Sequence, residues 1–214
     1  SMHIPWPMFG RGLTDRSLSR RTWKHQFRQT MSAEATLGSG TRLVLAAAMA
    51  AERAHDPTQA RRLILRQLRH LEAFIAAHPE RAALARTPAE ARRLLATTDK
   101  VVFVHSIEGG HLLLERPGDA AFWAQRGVAL ITLIHLRDKE NGGSALLPGA
   151  LGRGINPVGA RATRRGERRG LTGTGRRNMR DLHDAGILVD LSHMTPTALD
   201  DALDDLQPTQ GMVG

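Results

Sequence analysis

Val101-Val102-Phe103-Val104-His105-Ser106-Ile107 is a largely β-branched run that stops on Glu108-Gly109-Gly110. Near-continuous apolarity over so few residues predicts a strand buried on both faces. Val128 to Ile134 repeats the pattern and stops on His135, and Ile187 to Leu191 repeats it again and stops on Ser192-His193. Helical signals separate these strands: Asp119 to Arg126 precedes the second, Gly175 to Ala185 precedes the third, and Thr195-Pro196 opens a helix running to about Leu206. Such alternation predicts parallel βα units, in either an open sheet or a (β/α)₈ barrel. The strand ends favour the barrel. Its C-terminal strand ends converge on one mouth, so Glu108, His135 and His193 can meet although they are far apart in sequence. Each alone has a plainer reading, the glutamate as an exposed turn residue and each histidine as a hydrogen-bonded structural residue. A shared mouth accounts for all three together.

Upstream the signals are weaker. Residues 1–40 read as an irregular segment, with Pro5, Pro7, Gly10 and Gly12 ahead of a polar basic stretch, and hold at most the start of a first strand. Thr41 to Ala48 fits a buried strand or the start of an Ala-rich helix equally well. Asp56-Pro57 begins a helix that carries Ile64, Leu68, Leu71 and Ile75 at helical spacing and ends near His78-Pro79. A second helix is expected from Pro88 to Ala96. Residues 41–214 therefore read as the N-terminal portion of a barrel catalytic domain. Roughly five or six strands are too few to close eight, so the C-terminal strands are expected beyond this chain.

The chain has 214 residues, of which 41% are hydrophobic, enough to bury a sizeable core. The longest apolar stretch, Leu43 to Ala51, falls well short of the roughly 18 residues that span a bilayer. There is no cysteine, which excludes disulfides and thiolate metal sites and leaves His, Asp and Glu as ligands for any transition metal. The net charge of +9 gathers in Arg161 to Arg180, a run without aromatics in a chain without tyrosine. It reads as a solvated basic loop rather than a base-stacking nucleic-acid surface, although an anionic substrate or membrane surface also suits such charge. Ser1-Met2 reads as a cloning remnant, with the natural start trimmed, and the localisation expected is cytoplasmic.

Five stretches now fall into one order. They are Ile107-Glu108-Gly109-Gly110-His111, Leu133-Ile134-His135, Asn141-Gly142-Gly143-Ser144-Ala145, Gly170-Leu171-Thr172 with Gly175, and Gly186-Ile187-Leu188-Val189-Asp190-Leu191-Ser192-His193. In order and spacing these resemble successive blocks of the membrane (renal) dipeptidase family, over residues 100–206. The resemblance implies a (β/α)₈-type barrel with two zinc ions at its mouth, hydrolysing dipeptides or another small amide through a metal-bridging hydroxide. It implies that Glu108 bridges the metals, that His193 is a ligand, and that His135 touches the substrate and stabilises the oxyanion. His3 would match the first ligand of the family's opening His-x-Asp pair, but Pro5 stands where the second donor belongs. The family's further histidine ligand would lie beyond Gly214. The resemblance also allows a homodimer, a common arrangement in this family.

Three residues near these motifs stay open. Asp190 either orients a ligand from behind or pairs with an arginine. His105 reads as core, and His111 as a neighbour of the site rather than a ligand. The alternative function is a family member without metals that acts as a binding or interaction protein, a reading that His3-Ile4-Pro5 keeps alive. A nucleic-acid-binding domain rests on charge alone.

Overall fold

Strand β4, Val101–Glu108, is buried along its whole length, as its near-continuous apolar sequence predicts. The structure is a computed structural model that describes residues 2–3, 36–49, 54–146 and 149–206. The chain divides into two compact units, one of Ser1–Ala48 with Leu65–Ser106 and the other of Met49–Ile64 with Ile107–Gly214.

In the first unit β1 (Met2–His3) pairs in parallel with β2 (Leu43–Met49), setting His3 opposite Ala47. The stretch that fitted strand or helix equally well is thus a strand, and burial of Val44, Ala46 and Ala48 follows the period of two. The Arg42 carbonyl accepts a hydrogen bond from the Val102 amide at 2.9 Å, on the β4 side. Strand β3 (Ala82–Ala85) also pairs in parallel with β4, from Ala82 opposite Val101 to Ala85 opposite Val104. Helix α1 (Pro57–Ala77) drives Leu71 and Ile75 into a core with Val44, Ala46, Ala82, Val101 and Phe103. Helix α2 (Pro88–Thr97) starts where the Thr87 side chain accepts from the Glu90 amide, with proline in the first turn. His105 is core, as expected. It is fully buried, with Nε2 3.4 Å from Glu72 Oε1.

The second unit contains α3 (Asp119–Ala124), β5 (Val128–Thr132), α4 (Gly149–Ile155), α5 (Pro157–Arg164), α6 (Gly173–Asp184), β6 (Leu188–Asp190) and α7 (Pro196–Leu206). Strands β5 and β6 are parallel, with Leu130, Ile131 and Thr132 opposite Leu188, Val189 and Asp190. Parallel strands alternating with helices make this an α/β fold, as the sequence predicts. Trp123 on α3 is fully buried and donates from Nε1 to the Leu113 carbonyl at 3.1 Å. Arg61 pairs with Asp119 at 2.6 Å and lies 4.2 Å over the Phe122 ring.

Two strands are shorter than the sequence expectation. Strand β5 stops at Thr132 rather than Ile134, because the next carbonyl, of Leu133, accepts the Asn141 side-chain amide at 3.2 Å instead of extending the ladder. Strand β6 is correspondingly short. The Gly- and Arg-rich stretch, expected as loop, holds α4 and α5. Helix α5 is announced by Asn156-Pro157, where Asn156 Oδ1 accepts from the Gly159 amide at 3.0 Å. Among the described residues no helix is long and apolar enough to cross a membrane.

Candidate metal centre

Glu108 is the last residue of β4, while His135 and His193 sit on the loops that leave β5 and β6. The structure brings all three together. Glu108 Oε1 lies 3.2 Å from His135 Nε2 and 3.4 Å from His193 Nε2. The two imidazoles meet edge to face, 4.7 Å between centroids at 85°. One ligand atom from each residue lies within 4.8 Å of the others. Glu108 and His135 are buried, whereas the His193 side chain is 32% exposed, so one side of the cluster opens outward. A carboxylate flanked by imidazoles suits zinc or a similar divalent ion. The donor set therefore fits a metal. The His3 side chain, and Pro5 altogether, lie outside the described residues.

The loops that carry the histidines are held by a third loop. His193 has a φ of +67°, in the left-handed region that non-glycine residues seldom adopt. Its carbonyl accepts the Ala145 amide at 2.7 Å, and the Thr195 amide donates to the Gly143 carbonyl at 3.0 Å. The neighbouring Ser144 is fully buried and donates its hydroxyl to the His135 carbonyl. Adjacent residues of the Asn-Gly-Gly-Ser-Ala stretch thus grip the backbones of both histidines. Ser144 is fixed in turn: its amide donates to Asp138 Oδ1 at 2.9 Å and its carbonyl accepts from Arg169 Nη1 at 2.7 Å. Arg169 also pairs with Asp138 at 2.8 Å. A Cβ on Gly143 would come 2.3 Å from the Arg169 carbonyl oxygen, so only glycine fits there. Sequence reasoning gave Asp138, Ser144 and Arg169 no role. Arg169 was hidden in a run read as solvated, and nothing local announces a partner 31 residues away.

Asp190 does not pair with an arginine among the described residues. It accepts from Thr132 Oγ1 at 2.6 Å, from the Ser192 amide at 3.0 Å and from Ser192 Oγ at 2.7 Å. It thereby ties β5 to β6 and braces the turn that presents His193. Burial alone would raise its carboxyl, but the Thr132 and Ser192 hydrogen bonds, with His193 nearby, hold it below its ordinary value. His111 stands outside the cluster. Its Nδ1 donates to Glu140 at 2.6 Å, and the Leu112 amide donates to the same carboxylate at 3.1 Å. Burial pushes the Glu140 carboxyl up, and these bonds more than offset it, leaving it lowered.

A sequence model of the membrane dipeptidase family (peptidase family M19) matches residues 24–207. Comparison with curated proteins finds no matching sequence. Among solved structures, an amidohydrolase from Pseudomonas aeruginosa is similar at a TM-score of 0.60 and 14% identity, over 80% of this chain and 45% of that one. The probable dipeptidase PvdM from the same organism is similar at 0.60 and 22%, over 79% and 42%. A metallo peptidase from Rhodobacter sphaeroides, liganded with a phosphinate mimic of the dipeptide L-Ala-D-Ala, is similar at 0.55 and 21%, over 95% and 48%. The chain spans less than half the length of each of these three proteins. At such identities the likeness is one of fold.

Proposed function

This chain belongs to the membrane dipeptidase family, and we propose that it acts there as a metal-dependent hydrolase of dipeptides. The observation that carries the reading is the convergence of Glu108, His135 and His193 to within 4.8 Å from three separate loop and strand ends. Glu108 and His193 would hold the metal, with zinc as the ion and two ions expected in the complete site. When bound, such a metal supplies Lewis acidity that activates water and polarises the scissile carbonyl. The rest falls to the chain's own groups. Glu108, nine-tenths buried, gives a negative charge with little competing water. His135 Nε2, at the same cluster, donates a hydrogen bond to the carbonyl oxygen as it gains charge, an interaction whose removal typically costs about 10²–10³ in rate. Ser144 and Ala145 set where the two imidazoles stand, and Asp190 sets the turn beneath His193. The dipeptide substrate is supported by the Rhodobacter sphaeroides neighbour, whose ligand mimics one.

Metal content of the purified protein tests this directly, by mass spectrometry after loading with zinc and removing the excess. Bound zinc that falls in Glu108→Ala and in His193→Ala, while His135→Ala keeps its metal, is the expected result. No bound metal would overturn the hydrolase reading and leave a protein that works by binding.

A further inference from the structure

We propose that Arg169 is a positioning residue that ties the loop of His135 to the loop of His193, and that Gly159 on α5 is part of its seat. What the spacing of the two imidazoles serves is taken from the dipeptidase reading, on which the inference rests.

Arg169 holds the two loops through different groups. Its Nη1 donates to the Ser144 carbonyl at 2.7 Å and reaches both Asp138 oxygens, at 2.8 and 3.1 Å. Asp138 lies three residues past His135, and Ser144 donates its hydroxyl to the His135 carbonyl. On the other side the Arg169 carbonyl accepts the hydroxyl of Thr195, two residues past His193. One residue therefore grips the His135 loop with its side chain and the His193 loop with its backbone. Both members of the Arg169–Asp138 pair are only 13% exposed, whereas Arg165 and Arg168 in the same run stand in water. Charge-assisted hydrogen bonds with so little competing solvent are stronger than neutral ones and fix geometry as well.

The seat is shaped by an element that carries no residue of the cluster. Gly159 lies in the first turn of α5, and Asn156, which caps that helix, donates from Nδ2 to Asp138 Oδ1 at 2.7 Å. A Cβ on Gly159 would collide with Arg169 Nη1, and would stand 2.5 Å from Asn156 Nδ2 and 2.8 Å from Asp138 Oδ1. All three atoms are ends of side chains, so the guanidinium and its partners yield while the helix backbone stays. Gly159→Ala should thus act on the metal centre as loss of Arg169 does, although it removes no atom.

The test compares the unaltered chain with Arg169→Ala, Arg169→Lys and Gly159→Ala, with Arg168→Ala as the control. The imidazole signals of His135 and His193 are followed by proton–carbon NMR on chelator-treated protein, so that the readout does not depend on catalysis. They are identified by their disappearance in His135→Gln and His193→Gln. Arg169→Ala and Gly159→Ala are expected to move both signals and to leave that of the exposed His183 in place. Arg168→Ala should move none. In parallel, hydrolysis of Ala-Ala at saturating zinc should show kcat lowered about tenfold or more with KM little changed, as a misplaced group does. Arg169→Lys, or guanidinium ion added to Arg169→Ala, should recover part of the loss, which a merely structural role would not allow. Signals that stay in place in Arg169→Ala, or that Arg168→Ala moves as far, would overturn the proposal. If Arg169→Ala does not fold, Gly159→Ala decides, and unmoved His135 and His193 signals there have the same force. Signals that move as expected in a protein that hydrolyses no dipeptide would leave Arg169 in this role and sink the dipeptidase reading.

Discussion

At residue 193 a histidine occupies a left-handed conformation that costs about 1–3 kcal/mol unless its surroundings impose it. The surroundings here are two hydrogen bonds that hold its segment against residues Gly143 and Ala145. Between those two lies Ser144, and the arrangement predicts an asymmetry between two serines. Ser144→Ala removes a buried hydroxyl that donates to the His135 carbonyl, a loss of roughly 1–3 kcal/mol. Ser192→Ala removes an exposed hydroxyl from Asp190, whose carboxylate keeps Thr132 and the Ser192 amide, and should cost well under about 1 kcal/mol. Urea denaturation of the two variants checks the order, and a Ser192 variant as damaged as the Ser144 one would refute the clamp. The same clamp predicts that Ser144→Ala slows hydrolysis while zinc stays bound, because the hydroxyl holds His135 rather than a ligand. The three residues of the cluster were themselves legible, because each ends or follows an apolar run. Ser144 was legible only as a motif letter, since what it does depends on two loops brought close by folding.

Helix α6 shows why one glycine of a motif is obligatory and its neighbour is not. A Cβ on Gly175 would stand 2.0 Å from the Asn141 carbonyl oxygen, whereas a Cβ on Gly173 meets nothing within 4 Å. Alanine is worth about 1 kcal/mol over glycine in a helix, so propensity favours both substitutions. At position 173 propensity is the main term, and Gly173→Ala should be neutral or stabilising by up to about 1 kcal/mol. At position 175 the clash wins, because the atom in the way is backbone and α6 must lift from the loop that holds His135. Overpacking of this kind costs about 1–3 kcal/mol. Thermal melts of the pair measure it, and a stabilised Gly175→Ala would mean that α6 does not pack as described. Elements were readable in proportion to their side-chain signal. Strand β4 and helix α1 were plain from β-branching and helical spacing, whereas β3, Ala-Ala-Leu-Ala, carries almost no β-forming side chain and is strand only because β4 offers a partner. Helices α4 and α5 were obscured by glycine and arginine, although Asn156-Pro157 carried the start of α5 in plain sight.

For the whole molecule, net charge proved a poor guide to the site: the +9 belongs mostly to arginines, of which Arg61, Arg169 and Arg176 each hold a carboxylate. Internal pairing also sets the response to acid. His105 is fully buried, and burial outweighs the Glu72 carboxylate, holding its imidazole below the ordinary 6.5. The unfolded chain therefore binds the extra proton first, and stability falls as pH drops below about 6.5. The carboxyls of Glu72, Glu140 and Asp190 are also lowered, because their hydrogen bonds outweigh burial, which alone would raise them. Their contribution is complete above the ordinary values of 4.5, 4.5 and 3.8 and is lost as pH falls through the lower folded values. All four effects have the same sign, so stability should decline in two stages, first between pH 6.5 and 4.5 and then below. His105→Leu separates them. It removes the first stage, and with it part of the Glu72 contribution, but leaves Glu140 and Asp190 untouched, so the decline below 4.5 persists. Thermal melts followed by circular dichroism across this range decide the matter. An unchanged slope between pH 6.5 and 4.5 in His105→Leu would refute this assignment of the first proton.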